Sequence, residues 1–223
     1  MAPPAAAFFD VDETLISVNS MLRFLRHHYR VSHRPRAAFD EAVRGLRALA
    51  ARGAPRTAVA RAYYRLYAGR DAGELAAQGR DWFAAELRSG DLFLDGTVAA
   101  LRAHQHRGER VVLVSGSFAP CLDPVAQRLG SDAVLSARPE TVDGIHTGGL
   151  GTTMIGEEKA VAVRALLKDL GIRGEDCHAY GDHASDLPML LAVGHPVMVG
   201  TDPVLRRYAE SGTWRRLPGA LPP

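Results

Sequence analysis

With 223 residues, 47% of them hydrophobic and 23% charged, the chain is long enough to bury one large core or a core with a small accessory domain. The formal net charge of +2 is close to neutral, which argues against nucleic acid as the main partner. No stretch is apolar for long enough to span a membrane. The two cysteines are far apart in the sequence, so they suggest neither a zinc site nor a disulfide framework.

The first residues predict a protein that stays in the cytoplasm. Residues 1–7 lack the basic segment that begins a signal peptide, and a strand-like run follows at once. Reduced thiols at Cys121 and Cys177 agree with a cytoplasmic location. The sequence leaves the oligomeric state open.

The first chemical motif is an apolar run that ends in two carboxylates. Phe8 and Phe9 close this strand-like run, and Asp10, Asp12 and Thr14 follow it. Side chains two residues apart in an extended chain point the same way, so the two carboxylates are expected together at the carboxyl end of the strand. Open α/β sheets bind ligands at that edge. Such a pair repels itself unless a cation or a proton intervenes, which predicts Mg²⁺ binding or acid–base chemistry.

Residues 17–89 predict a helical insertion. They are rich in Ala and Arg with helical spacing, and breaks near residues 35, 53–55 and 69–71 divide them. We expect three or four short helices. The predicted domains are therefore a core formed by residues 1–16 and 90–223 and a helical cap formed by residues 17–89.

A second polar segment follows the strand-like residues 110–114. Ser115, Gly116 and Ser117 form a flexible turn that can open a helix. Backbone N–H groups at a helix start, together with the Ser115 hydroxyl, can hold phosphoryl oxygens. An ordinary turn capped by serine explains the same residues equally well.

A lysine and two further carboxylates complete the pattern. Lys159 and Lys168 are the only lysines among many arginines, and Lys159 begins an amphipathic run. A compact ammonium fits between a carboxylate and a phosphate better than a planar guanidinium does, although a solvated helix residue is the alternative. Asp182 ends another strand-like run after Gly181, and Asp186 follows. Four carboxylates at one edge predict Mg²⁺ as the cofactor.

From residue 91 onward, strand-like and helical segments alternate, which predicts a doubly wound parallel sheet. The first strand lies at the start of the chain. The other predicted strands are residues 111–114, 133–136, 178–180 and 197–199, with a short edge strand over residues 213–217.

These motifs resemble those of the haloacid dehalogenase superfamily, and more narrowly those of its phosphoserine phosphatase-like branch, subfamily IB. The resemblance spans most of the chain and is carried by Asp10, Asp12, Thr14, Ser115, Ser117, Lys159, Asp182 and Asp186. It implies an α/β fold with a doubly wound, Rossmann-like parallel-sheet core and an inserted α-helical C1-type cap. It also implies a Mg²⁺-dependent phosphatase that hydrolyses a small phosphorylated metabolite through an aspartyl-phosphate.

The resemblance also implies a role for each matching residue. Asp10 would be the nucleophile, and Asp12 would protonate the leaving alcohol and then activate water. Asp10 and Asp182 would hold Mg²⁺ through their side chains and Asp12 through its carbonyl, while Asp186 would steady metal-bound waters. The residues expected to bind the phosphoryl group or to orient the surrounding loop are Thr14, Ser115, Gly116 and Lys159.

Two positions depart from the pattern of that branch. Phosphoserine phosphatases carry a glutamate nine residues after the nucleophile, which recognises the substrate amine, and Asn19 stands there in this chain. They usually carry Asn where this chain has Ser185. A neutral amide cannot pair with an ammonium, so phosphoserine is not favoured over histidinol phosphate or a sugar or polyol phosphate. We expect Asn19 and Ser185 to lie on the substrate side of the site.

Three other functions stay open. A phosphotransferase would pass the aspartyl-phosphate to a second alcohol and would carry the same motifs. A receiver-like phospho-acceptor also combines such a sheet with an Asp, a hydroxyl residue and a Lys, although the long insertion and Asp12 favour hydrolysis. A non-catalytic binding protein is a third alternative, although no group needed for catalysis is missing.

Other histidines, a glycine-rich segment and three tyrosines are predicted to have no part in the chemistry. His27 and His28 are expected on a solvated helix face, and His104 is also expected to be solvated. The glycine-rich residues 148–153 predict a hairpin or an irregular turn. Helical spacing predicts packing between cap helices for three aromatic residues, Tyr63, Tyr64 and Tyr67.

Overall fold

The computed structural model describes residues 5–212 and 214–220, which contain eight strands and nine α-helices. The strands are β1 (Ala6–Phe9), β2 (Arg110–Ser115), β3 (Ala133–Ser136), β4 (Arg138–Val142), β5 (Ile145–Thr152), β6 (His178–Gly181), β7 (His195–Val199) and β8 (Arg215–Leu217). The helices are α1 (Ser20–Val31), α2 (Arg36–Ala51), α3 (Arg56–Arg65), α4 (Ala72–Ser89), α5 (Asp95–His106), α6 (Ala119–Leu129), α7 (Glu157–Leu170), α8 (Leu187–Leu190) and α9 (Pro203–Ser211).

Six strands form one parallel sheet in the order β3-β2-β1-β6-β7-β8. The chain moves outward from β1 to β3 and then returns to the other side of β1. The strand order therefore reverses between β1 and β6, and a crevice opens there at the carboxyl ends of the strands. The predicted doubly wound sheet is confirmed. The predicted edge strand is confirmed as β8, while Thr213 lies outside the described residues.

Strand β1 is buried on both faces, which explains its unbroken apolar run. Ala7 and Phe9 belong to one apolar cluster, and Ala6 and Phe8 belong to the other. The cluster around Phe9 continues into the inserted helices, where it includes the buried Trp82. The core of the sheet and the interior of the insertion are thus one continuous apolar body.

The insertion consists of α1 to α4, which are separated at the predicted breaks. Asn19 caps α1, because its Oδ1 accepts a hydrogen bond of 3.0 Å from the Leu22 N–H. The prediction for the three tyrosines is confirmed, since all are buried. Tyr67 lies against the rings of Phe24 and Phe118, with centroids 6.0 and 5.3 Å away. None of the helices in the described ranges is long and apolar enough to cross a membrane.

Strands β4 and β5 form an antiparallel hairpin outside the main sheet, and the glycine-rich segment lies in it, as predicted. The hairpin binds the link between α3 and α4. The Gly69 N–H donates to the His146 carbonyl over 2.7 Å, and the His146 N–H donates to the Arg70 carbonyl over 2.8 Å. Arg61 donates to the Leu150 carbonyl over 2.6 Å. The hairpin therefore fastens the inserted helices to the core.

Helices α4 and α6 also join the insertion to the core, and their backbones lie very close together at Gly79. Gly79 is buried in the middle of α4, and a Cβ atom placed there would overlap the backbone of Pro120 in α6. The atoms that such a Cβ would meet belong to the backbone, so no flexible side chain could move to make room for it.

We predict that Gly79→Ala destabilises the protein by about 1–3 kcal/mol, although alanine is the better helix former. Gly45→Ala is the matched control, because Gly45 lies inside α2 and a Cβ there would have no heavy atom within 4 Å. That change should stabilise the protein by up to about 1 kcal/mol. Urea unfolding measures both effects, and equal stabilisation by the two substitutions would disprove the close approach.

The prediction of solvated histidines is wrong at His27, His28 and His104, which are 8%, 1% and 1% exposed. Each has a polar contact, and those of His28 and His104 join other elements, which the helical pattern does not reveal. His28 Nδ1 lies 2.8 Å from Gln78 Oε1, and His27 Nδ1 lies 3.3 Å from the Arg30 guanidinium. His104 Nε2 lies 2.8 Å from the Tyr180 hydroxyl, 76 positions along the chain.

His104 belongs to a group of imidazole rings at the amino ends of β6 and β7. The ring of His178 lies 4.6 Å from that of His104 and 4.7 Å from that of His195, measured between centroids. Burial, and then the two neighbouring rings, lower the pKa of His178 to about 4. An unfolded chain binds this proton near pH 6.5.

As the pH is lowered from 6.5 to 4, the contribution of His178 to the free energy of unfolding should therefore fall, because the unfolded chain takes up a proton at His178 that the native state does not. His178→Gln should remove this contribution, so that the free energy of unfolding of the variant falls less, or rises more, over this range than that of the native protein. His106→Gln, at an exposed position of α5, is the control and should leave the pH dependence unchanged. Urea unfolding at several pH values tests this, and identical pH profiles for native protein and His178→Gln would contradict it.

Candidate active site

A cavity of about 100 Å³ lies at the carboxyl ends of the strands, where the strand order reverses. It brings together polar residues at the ends of β1, β2 and β6, a lysine of α7 and three residues of the insertion, among them Met21. Its lining includes Asp10, Asp12, Ser115, Gly116, Lys159, Asp182, Ser185, Asp186, Asn19 and Arg56.

The loop after β1 holds its two carboxylates in fixed positions. The Asp10 N–H donates to the Tyr180 carbonyl over 2.9 Å and so extends the pairing of β1 with β6 by one residue. The chain then folds tightly around the Val11 carbonyl, which accepts hydrogen bonds from the Leu15 and Ile16 N–H groups. This turn directs both Asp10 and Asp12 into the cavity.

Lys159 is buried between two carboxylates. Its Nζ lies 2.5 Å from Asp10 Oδ1 and 2.7 Å from Asp186 Oδ1. Burial alone would lower the pKa of Lys159, but attraction to the two carboxylates outweighs burial, and the pKa rises. Burial raises the pKa of Asp10 to about 6, and Lys159 opposes that shift. At neutral pH, Lys159 is charged and Asp10 is predominantly ionised.

Asp12 has a different environment from Asp10. Its Oδ2 accepts a hydrogen bond of 3.0 Å from the Ser20 N–H at the start of α1. Its Oδ1 is buried and has no hydrogen-bond partner among the described residues. Burial raises the pKa of Asp12 to about 7, against the opposing effect of Ser20. The loop therefore holds two carboxyl groups in different environments, one beside an ammonium and one beside a helix terminus.

The loop after β6 supplies the remaining carboxylates. The fully buried Thr14 donates to Asp182 Oδ1 over 3.0 Å and so positions that side chain. Asp186 accepts from Lys159 through Oδ1 and from the His183 N–H through Oδ2 over 3.2 Å. Gly181 permits this fold, because a Cβ there would lie 2.6 Å from the Asp186 Cβ.

The oxygen atoms offered by Asp10, Asp182 and Asp186 lie within 4.8 Å of one another. Burial, followed by repulsion from Asp10 and Asp186, raises the pKa of Asp182 to about 8. Three carboxyl groups share the single ammonium of Lys159, so full ionisation of the cluster would leave an excess of negative charge. Oxygen ligands of this kind are those that a hard divalent cation prefers, so the cluster fits a metal such as Mg²⁺.

Comparison with known proteins agrees with this arrangement. Residues 7–191 match the haloacid dehalogenase-like hydrolase family. The chain belongs to this family. Among its relatives, the "Inhibition of morphological differentiation protein" of Streptomyces azureus is 31% identical over 95% of this chain and 77% of its own length. Phosphoserine phosphatase SerB1 of Mycobacterium tuberculosis (strain ATCC 25618 / H37Rv) is 33% identical over 94% of this chain and 69% of its own length. The predicted family and the predicted phosphatase class are confirmed.

Solved structures place this haloacid dehalogenase-like hydrolase in the same fold. A protein of unknown function from Bordetella pertussis Tohama I is 26% identical with a TM-score of 0.86, over 97% of this chain and 99% of its own. A phosphoserine phosphatase with a phospho-aspartyl intermediate analogue is 22% identical with a TM-score of 0.68, over 92% and 90% of the two chains. The latter likeness supports the fold alone.

The hydrolase places its polar turn residues at the cavity as well. Ser115 Oγ accepts from the Ser117 N–H over 3.1 Å, which fixes the turn after β2. Gly116 lines the cavity and packs closely on Ile155, because a Cβ at Gly116 would lie 3.1 Å from the Ile155 side chain. Ser185 lines the cavity beside His183, and the Ser185 N–H donates to His183 Nδ1 over 2.9 Å.

Two contacts between the insertion and the core were not foreseen from the sequence. Besides its contact with Asp12, Ser20 donates through Oγ to Ser117 Oγ over 2.9 Å. Arg56 Nη1 lies 3.1 Å from His183 Nδ1 across the mouth of the cavity. Ser20 directly follows Asn19, the N-cap residue of α1. That position in the sequence identifies its backbone N–H as a free donor at the helix terminus. No local signal pairs Arg56 with His183, because 127 positions separate them.

We predict that Lys159→Met lowers the free energy of unfolding by about 3–5 kcal/mol in the absence of divalent cations, because buried carboxylates lose their counter-charge. Lys168→Met is the matched control, since Lys168 is exposed on the same helix and should change stability by less than about 0.5 kcal/mol. Urea unfolding in a chelating buffer measures the change in stability of both variants. Equal midpoints for the two variants would show that the ion pairs contribute nothing to stability.

Proposed function

We propose that this hydrolase cleaves a small phosphomonoester through an aspartyl-phosphate formed on Asp10. The supporting observation is that Asp10 and Asp12 face one cavity with different partners. Asp10 lies 2.5 Å from a buried ammonium, whereas Asp12 keeps one oxygen without a partner among the described residues. One carboxyl is thus suited to nucleophilic attack and the other to proton transfer.

In the first step, an Asp10 oxygen attacks phosphorus and the bond from phosphorus to the alcohol oxygen breaks. An anionic carboxylate and an anionic phosphate repel each other, and Lys159 offsets this repulsion because its Nζ contacts Asp10 directly. The electron pair of the broken bond stays on the alcohol oxygen. Phosphoryl transfer depends mainly on such positioning and charge neutralisation.

Asp12 would supply the proton that the leaving oxygen requires. With a pKa of about 7, a fraction of Asp12 carries a proton at neutral pH, whereas an ordinary aspartate does not. After that proton is transferred, Asp12 is an anion and can accept a proton from the water that attacks the aspartyl-phosphate. This second step releases inorganic phosphate and restores both carboxyl groups.

Phosphoryl oxygens would be held by the Ser115 hydroxyl, the Gly116 N–H and Lys159, which line the same cavity. Asp10, Asp182 and Asp186, with the Asp12 carbonyl, are the residues that would hold Mg²⁺. When bound, the ion supplies positive charge against the phosphoryl oxygens. Thr14 would maintain the position of Asp182 through the hydroxyl contact described above.

The proposed substrate is a small phosphorylated metabolite, selected by a cap of residues 17–89 over a core of residues 1–16 and 90–223. The relative SerB1 is named a phosphoserine phosphatase, which supports an alcohol phosphate as the substrate class. Asn19 lines the cavity where a carboxylate would be needed to bind an amine. Histidinol phosphate and sugar or polyol phosphates therefore remain candidates beside phosphoserine. The buried free thiols of Cys121 and Cys177 support a cytoplasmic location.

We predict that Asp10→Asn lowers phosphate release at least about a thousandfold, because the amide cannot form the aspartyl-phosphate. Glu13→Gln is the control: Glu13 is exposed on the same loop and lines the same cavity, but its carboxylate has no proposed step. Release should be measured on a panel of small phosphomonoesters, with Mg²⁺ and with a chelator.

Activity in Asp10→Asn equal to that of Glu13→Gln would exclude Asp10 as the nucleophile. Activity unaffected by chelation would exclude the divalent cation. Repeating the assay with glycerol as a second acceptor tests for phosphotransfer, since a transferase would form glycerol phosphate in preference to inorganic phosphate.

A further inference from the structure

A second cavity, of about 330 Å³, adjoins the active-site cavity within the inserted helices. The two cavities share four lining residues, Asn19, Met21, Arg56 and Ile155. The rest of its lining comes from α1, α2 and α3 and from Ala54 between α2 and α3. A group attached to a phosphate in the active site would therefore extend past these four side chains towards the second cavity. We name it the cap cavity.

The cap cavity is mainly aliphatic. Its apolar lining includes Leu22, Val43, Leu46 and Val59, which come from three helices. The hydroxyl of Tyr63, which also lines it, already donates to the Met21 carbonyl over 2.7 Å. The cap cavity thus offers apolar surface rather than free polar groups for most of its extent.

The charge at the cap cavity is positive. Arg47 and Arg56 are the charged residues of its lining, and no described residue that lines it carries a carboxylate. Asn19, which lies at the junction, already uses Oδ1 to cap α1. An ammonium in this place would meet two guanidinium groups without a counter-ion, which is unfavourable.

From these observations we propose that the alcohol part of the substrate carries an apolar group, an aliphatic chain or a ring without an ammonium, that occupies the cap cavity. The proposal rests on the phosphatase function argued above and specifies its substrate class. At roughly 30 Å³ for each water-sized group, the cap cavity holds about ten non-hydrogen atoms. Its volume lies at the lower end of the range of about 300–1,000 Å³ for small-molecule sites.

A series of n-alkyl phosphates from ethyl to hexyl tests this directly on the native protein with Mg²⁺. Burial of each added methylene should raise kcat/KM about fourfold until the cap cavity is full. Propyl phosphate and 2-aminoethyl phosphate form a matched pair of nearly equal size. We expect propyl phosphate to be preferred at least tenfold, and a preference for the amine would overturn the inference.

Ala50→Trp narrows the cap cavity, because Ala50 lines it from an exposed position of α2. The ratio of kcat/KM for hexyl phosphate to that for ethyl phosphate should fall at least tenfold in this variant. Ala48→Trp is the control, since Ala48 is exposed on the same helix outside the lining. The same ratio should stay at the native value there, and an equal change in both variants would overturn the inference.

Binding to Asp10→Asn, measured by calorimetry, separates failure of the inference from failure of the proposed function. Tighter binding of propyl than of 2-aminoethyl phosphate, without turnover of any ester by native protein, would overturn the hydrolase proposal and uphold the apolar pocket. Turnover that is independent of chain length, together with equal affinities, would overturn the pocket and uphold the hydrolase.

Discussion

One buried ammonium determines much of the arrangement of this site. Lys159 contacts Asp10 and Asp186 at the edge of the sheet, while Asp12 and Asp182 lie in the same cavity. Buried carboxylates without counter-charge would be strongly unfavourable, so α7 must present its first turn to the crevice between β1 and β6. The excess of carboxylates over the single ammonium explains why the same residues fit a divalent cation. Stability and chemistry therefore share one electrostatic constraint.

The inserted helices complete the site as well as covering it. Asp12 accepts its hydrogen bond from the N–H of Ser20, the first residue of α1, and Ser20 in turn bonds to Ser117 of the core. The burial that raises the pKa of Asp12 thus depends on how α1 meets the sheet. The hairpin of β4 and β5 and the close approach at Gly79 fix that relation. A displacement of the insertion would expose Asp12 to water and lower its pKa towards the ordinary value.

Much of the sheet and the carboxylate cluster could be predicted from the sequence, because each depends on local pattern. Asp10 and Asp182 directly follow apolar strands. In a parallel sheet this alone places them at the carboxyl edge, where ligands bind. Pairings between distant residues left no such signal. The burial of His104 depends on Tyr180, and the contact of Arg56 depends on His183, 127 positions away. Helical periodicity distinguishes an apolar face, but it cannot distinguish a solvated histidine from one that has a polar partner on another element.

The residues proposed for the chemistry and those proposed for substrate selection lie on different parts of the fold. The groups proposed to hold the phosphoryl oxygens, Ser115, Gly116 and Lys159, end β2, follow it or lie in the first turn of α7, beside the carboxyl edge of the sheet. The cap cavity is formed by side chains such as Leu46 and Val59 on separate helices, whose exchange for other apolar residues leaves the sheet edge untouched. On the proposed function, substrate preference would therefore change by substitution within α2 and α3. Helix α1 is less free to vary, because Ser20 must still reach Asp12, so selectivity should vary most where the inserted helices do not contact the loop after β1.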